Sequence, residues 1–177
     1  MEQTVWKTLL QAVADGKMTV DEAAARWKLA PFEELGYAKI DHHRALRQGT
    51  AEVIYGEGKT PEQITGIVSA MLEAGQRSVL ITRLSPEAAA QVGQVHDLDY
   101  RPMGRLGIVG SLPEPDGVGT VVVASAGTSD MNVAEEAAVT AEFLGNRVTR
   151  LYDVGVAGIH RLLAHGEELM DARVVVS

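Results

Sequence analysis

Apolar positions near the start of the chain recur at helical spacing. Val5, Leu9, Leu10 and Val13 fall close to an i, i+4, i+8 stripe, which predicts a helix over residues 4–14. Asp15-Gly16-Lys17 breaks the pattern. Thr19, followed three residues later by Glu22, reads as a capping box that opens a second helix over residues 20–29, and Pro31 closes it. The pair predicts a small helical hairpin with no chemistry of its own.

Beyond residue 50 short apolar runs and helical periodicities alternate. Residues 52–55 alternate as a short strand. A glycine-bounded loop, residues 56–59, leads to a helix whose start carries Thr60 as N-cap, Pro61 at the first position and Gln63 completing the box; Gly75 is its stop. Residues 78–82 predict a strand, Ser85-Pro86-Glu87 opens another helix, and residues 100–109 predict one further strand. This β–α–β–α–β order favours a parallel sheet with crossover helices. Residues 111–119 concentrate glycine, proline and acids, the composition of a linker. The pattern then restarts: a strand at 120–124 whose Val121-Val122-Val123 run suits burial on both faces, a helix at 133–144 stopped by Gly145, a strand at 146–151, a helix at 158–165 and a strand at 173–177. The expected architecture is α/β. A helical hairpin and small α/β unit occupy residues 1–110, and an unfinished parallel α/β unit follows the linker over 120–177.

Composition narrows the chemistry. The 177 residues contain no cysteine, which removes disulfides, thiolate metal sites and a thiol nucleophile from this chain. A net charge of −8 argues against nucleic acid as a partner. Residues 1–60 hold 9 acids and 8 bases, so nearly all the acidic excess lies beyond Lys59. No apolar run approaches the ~20 residues of a membrane span, and the first residues lack a basic-then-apolar leader. The expectation is a cytoplasmic protein without membrane contact.

In open α/β sheets, ligands bind beyond the carboxyl ends of the strands. Three loops sit there. The most informative is Ala124-Ser125-Ala126-Gly127-Thr128-Ser129-Asp130, which leaves the valine-rich strand and opens a helix. Gly127 allows close backbone approach, Thr128 and Ser129 add hydroxyl donors for a phosphate, and Asp130 is placed to accept from a ribose hydroxyl. An equally weighted alternative is a plain corner in which Ser129 or Asp130 only caps the helix. In the second loop, Gly155 and Gly158 precede a helix bearing His160 and Arg161, an imidazole and a cation near a phosphate site. Here the plainer alternative is a solvent-facing helix start. The third loop, Gly56-Glu57-Gly58-Lys59, offers a weaker anion site.

Other constellations fail on geometry. His160 and His165 are five apart and would point about 140° away from each other on one helix, so they form no metal pair. Asp41-His42-His43-Arg44 spreads over different faces, and His96-Asp97-Leu98-Asp99 reads as an exposed turn. No metal site is expected. Neither a P-loop nor a Gly-x-Ser-x-Gly elbow occurs.

Together the segments Asp41-His42-His43-Arg44-Ala45-Leu46-Arg47, Glu52-Val53-Ile54-Tyr55-Gly56-Glu57-Gly58-Lys59-Thr60-Pro61, Thr82-Arg83, Ala126-Gly127-Thr128-Ser129-Asp130 and Asp153-Val154-Gly155-Val156-Ala157-Gly158-Ile159-His160-Arg161 resemble the LarB family of nickel-pincer cofactor biosynthesis. The later half is also similar to the PurE-type aminoimidazole ribonucleotide carboxylases, whose Gly-Ser-x-Ser-Asp loop has its counterpart at residues 126–130. The resemblance implies a three-layer PurE-like domain and a carboxylase/hydrolase. Its substrate would be nicotinic acid adenine dinucleotide, carboxylated by CO2 at C5 of the pyridinium ring and cleaved to release AMP. It further implies a cysteine thiolate that adds to the ring, assistance by Mg2+, and assembly as a homo-octamer. Gly127, Thr128, Ser129 and Asp130, with Gly155, Gly158, His160 and Arg161, would hold the substrate, and Asp130 and His160 are the candidates for proton transfer. The family's cysteine belongs to a portion beyond Ser177, so the chain is expected to be a fragment of a longer enzyme. A purine-pathway carboxylase/mutase and a non-catalytic nucleotide-binding or assembly module are the alternatives.

Overall fold

The computed structural model describes residues 2–28, 33–40 and 52–177. The chain divides into two compact units, residues 1–52 and 53–177.

In the first unit, helices α1 (Glu2–Ala14) and α2 (Val20–Lys28) form the expected hairpin. Thr19 and Glu22 bond reciprocally: the Glu22 amide donates to Thr19 Oγ1 at 3.2 Å, and the Thr19 amide donates to Glu22 Oε2 at 2.8 Å. A two-residue antiparallel ladder, β1 (Glu33–Glu34) with β2 (Lys39–Ile40), completes it. Asp41–Arg47, part of the family resemblance, and Pro31 lie outside the described residues.

The second unit contains two sheets. The first has the order β3-β4-β6-β5, from β3 (Ile54–Tyr55), β4 (Val79–Thr82), β5 (Leu98–Arg101) and β6 (Leu106–Val109). It is mixed rather than parallel: only β3–β4 is parallel, while β4–β6 and β5–β6 run antiparallel. The single strand expected over 100–109 is a hairpin, because Pro102-Met103-Gly104-Arg105 turns the chain and Arg105 takes a left-handed φ of 52°. Helix α3 (Pro61–Glu73) carries the full Thr60–Gln63 capping box, and α4 (Pro86–Val92) is capped by Ser85. Gly75, at φ 93°, ends α3 as expected, with the Gln76 amide reaching back to the Met71 carbonyl.

The second sheet is fully parallel, in the order β8-β7-β9, from β7 (Thr120–Ala124), β8 (Arg147–Leu151) and β9 (Ala172–Val176). Helix α5 (Met131–Phe143) follows a 3-10 turn at Thr128–Asp130. The helix expected over 158–165 is broken into a 3-10 turn (Val156–Gly158), α6 (Ile159–Leu163) and α7 (Gly166–Asp171). His165 therefore lies outside α6 and pairs with Glu168. Val123 packs with Ala134 and Ala138 of α5, and Val122 packs on the opposite face with Leu162 and Leu169. Helices thus cover both faces, as the valine run implied, giving the three-layer PurE-like arrangement.

Helix α5 has two jobs. Its Ala134–Ala138 edge faces β7, whereas Val139 and Phe143 pack with Leu80, Leu106 and Ile108 of the first sheet. Residues 111–119, free of helix and strand, run between sheets that share this helix.

Candidate functional site

The carboxyl ends of β7 and β8 bring two of the three predicted loops together. The strand pairing continues past β7: the Ser125 amide donates to the Leu151 carbonyl at 3.0 Å, the Val154 amide to the Ser125 carbonyl at 3.0 Å, and the Gly155 amide to the Ala126 carbonyl at 2.9 Å. This pairing fixes the start of the Gly127–Asp130 loop against the Asp153–Gly158 loop. Gly155 is required for it, since a Cβ there would sit 2.6 Å from the Ala126 carbonyl oxygen.

Asp130 stands at the N-cap position of α5, but its side chain accepts no amide of that helix. Its carboxylate turns back instead, accepting the Gly127 amide at 3.2 Å and the Ser129 hydroxyl at 3.2 Å. Two donors suited to an anion are thereby held by an internal carboxylate. Thr128, Ser129 and Asp130 are exposed, and Gly127 is half-buried. The loop opens α5, whose first amides have no partner inside the helix and carry the positive end of its dipole.

On the second loop, Asp153 adopts a left-handed φ of 58° and its carboxylate accepts from Arg161 Nη1. The Arg161 side chain folds across Gly158, where a Cβ would meet its Nε at 2.7 Å. Arg161 is thus anchored at the loop by the chain's own carboxylate. His160, beside it, is exposed at the start of α6, and no side-chain hydrogen bond joins it to the Gly127–Asp130 loop.

The third loop belongs to the first sheet. The Gly56 amide donates to Thr82 O at 2.7 Å, and Lys59 Nζ bonds the Tyr55 carbonyl at 2.8 Å rather than facing outward as a free cation. Nearby, Arg83 Nε donates to Glu136 of α5 at 2.8 Å. The expected exposed turn at His96-Asp97-Leu98-Asp99 is only partly that: His96 is half-buried with its Nε2 3.1 Å from Ser69 Oγ, while Leu98 and Asp99 enter β5.

Behind the site, Arg150 of β8 bridges Glu135 (2.9 Å) and Glu142 (2.6 Å) of α5, and the Tyr152 hydroxyl donates to Glu135 at 2.5 Å. Burial opposes the charged form of Glu135, but the hydrogen bonds from Arg150 and Tyr152 outweigh it and hold this carboxyl below its usual range. The same burial, with Glu135 as acceptor, raises the Tyr152 phenol. This network ties α5 to β8 and so holds the loop that opens the helix.

Sequence reasoning passed over Ser125. It is the buried polar residue of the site, 6% exposed, and its Oγ has no hydrogen-bond partner. The signal available was its place one residue beyond a strand buried on both faces. A cleft of 770 Å³ opens elsewhere, between α6 and α7, lined by Leu163, Ala164, Gly166, Glu167, Glu168 and Asp171. Its three carboxylates make it a poor phosphate site. Among the described residues no three His, Asp or Glu side chains gather as a metal cage. Nor is any helix there long and apolar enough to cross a membrane.

Residues 32–111 match the family model of the LarB/PurE-like N-terminal domain. Residues 32–111 of the chain thus carry a LarB/PurE-like N-terminal domain. The match accounts for the first sheet standing before a PurE-like parallel one. An uncharacterized protein of Methanocaldococcus jannaschii is 34% identical over 163 residues, covering 88% of this chain. The chain spans 64% of the length of that relative.

Proposed function

We propose that this chain is of the LarB family and supplies the nucleotide-holding part of a carboxylase/hydrolase that adds CO2 to C5 of the pyridinium ring of nicotinic acid adenine dinucleotide and releases AMP. The observation that carries the reading is the backbone pairing of the Gly127–Asp130 and Asp153–Gly158 loops through Ser125 and Ala126. It gathers amide donors, hydroxyls and Arg161 at the carboxyl end of a parallel sheet, where α/β proteins bind nucleotides. A phosphate would take the Gly127 amide and Ser129 hydroxyl from Asp130, leaving that carboxylate for a ribose hydroxyl. Thr128 adds a further donor, Gly155 and Gly158 keep the second loop close, and Arg161 offers a guanidinium. His160, exposed beside Arg161, and the released Asp130 are the groups available to move a proton.

The ring carbon must become electron-rich before it attacks CO2, which in this family implies a thiolate adduct. This chain has no thiol to supply. Mg2+ belongs to the proposal as a companion of the substrate phosphates, since magnesium is commonly held by phosphates and water with few protein carboxylates. A cytoplasmic homo-octamer, with no nucleic-acid or membrane partner, completes the reading.

The missing thiol favours one further reading, a nucleotide-binding or assembly module without turnover. Incorporation of labelled bicarbonate, run beside calorimetric titration with the dinucleotide and AMP, separates the two. Turnover is expected only where a thiol is supplied, whereas binding is expected of this chain alone. Absence of binding to either nucleotide would overturn the reading.

A further inference from the structure

We infer that Ser125 is a further ligand-binding residue, whose hydroxyl donates to an anionic phosphate oxygen when a nucleotide enters the loop at the start of α5; the inference rests on the nucleotide reading above. Three observations converge. First, both backbone polar groups of Ser125 are spent on the β8 side, the amide on Leu151 and the carbonyl on Val154, so only the hydroxyl remains to be accounted for. Second, that hydroxyl is buried without any partner, an arrangement that ordinarily costs stability and is seldom left standing in a native chain. Third, side chains alternate along a strand: Val121 and Val123 lie on the α5 face, and Ser125 follows them to the same face. Because β7 and β8 are parallel and α5 connects them, α5 runs back along the sheet with its amino end at the carboxyl end of β7. Ser125 therefore lies on the face that the first turn of the helix covers.

The loop's own hydrogen bonds explain why the hydroxyl is left over. Asp130 acts as an internal anion for Gly127 and Ser129, and with the loop held this way Ser125 Oγ is enclosed. A phosphate that displaces the Asp130 carboxylate brings acceptor oxygens to the same end of the helix and frees residues 126–130 to shift. The buried hydroxyl then acquires the partner it lacks. A structural serine would behave differently, because its loss would not register in ligand affinity.

The experiment is calorimetric titration of wild type and Ser125→Ala with AMP, together with thermal melting of both proteins without ligand. The expected result has opposite signs. The variant melts at or above the wild-type temperature, because an unsatisfied group has been removed, and binds AMP roughly 10- to 100-fold more weakly, the range for a hydrogen bond to a charged acceptor. Unchanged AMP affinity in a variant that melts normally overturns the inference and leaves the nucleotide reading intact. A wild-type protein that binds neither AMP nor the dinucleotide overturns both.

Discussion

Gly155 donates its amide to the Ala126 carbonyl at 2.9 Å, and the same oxygen lies 2.6 Å from where a Gly155 side chain would begin. The bond that joins the two site loops therefore exists only because position 155 has no Cβ. Gly155→Ala should cost about 1–3 kcal/mol, the range for overpacking a close contact, and should abolish AMP binding. Gly127 is the control: its φ of −135° is open to any residue and an added Cβ would meet nothing nearer than 3.8 Å. Gly127→Ala should unfold like wild type in urea.

Asp130 predicts a competition. Its carboxylate holds the Gly127 amide and the Ser129 hydroxyl, the donors a phosphate would claim. Asp130→Ala removes both the competitor and a repelling charge, so inorganic phosphate should bind severalfold more tightly than to wild type. Weaker phosphate binding on titration would contradict the geometry.

Arg161 and Asp153 form a pair with side chains 39% and 49% exposed. Exposed pairs contribute about 0–1 kcal/mol, so Arg161→Gln should shift the urea midpoint little. Its effect should appear in AMP affinity, with a loss on the order of tenfold for a charged hydrogen bond. Comparing urea unfolding with titration separates the two quantities.

Glu135 sets an acid limb. Its folded carboxyl titrates below the ordinary glutamate value of 4.5, against burial, because Arg150 and Tyr152 bond the charged form. A depressed folded pKa contributes stability that is fully present above the unfolded value and is lost as pH falls through the folded one. Stability should thus be insensitive to this group above about pH 5.5 and decline below 4.5. Glu135→Gln should lower stability at pH 7 by about 1–3 kcal/mol and flatten the acid limb in urea titrations between pH 3 and 6.

What the sequence made legible was local and covalently near. Thr60 and Gln63 announced α3, Thr19 and Glu22 announced α2, and the valine run at 121–123 announced a strand covered on both sides, because caps and burial patterns are written in adjacent residues. The span 100–109 reads as a single strand, whereas the chain forms a hairpin over 98–109 whose turn Pro102 and Gly104 mark and whose first strand, Leu98–Arg101, alternates apolar and charged residues. α7 went unseen because it begins on Gly166, without a capping side chain. That two of the candidate loops follow the carboxyl ends of β7 and β8 was readable from the strand pattern. That Lys59 bends back to Tyr55, that Asp130 serves Gly127, and that Ser125 is left unpaired depend on packing that no spacing encodes.

One helix serving two sheets constrains how this molecule can be divided. The irregular stretch at 111–119 invites a cut, yet Val139 and Phe143, from beyond it, complete the apolar layer over Leu80, Leu106 and Ile108 from before it. Scission there would strip the earlier piece of its cover and leave the later piece with a naked phenylalanine edge. The two halves should be inseparable as soluble products but able to reassociate when mixed, so the recombination unit of this protein is the pair of sheets with their shared helix.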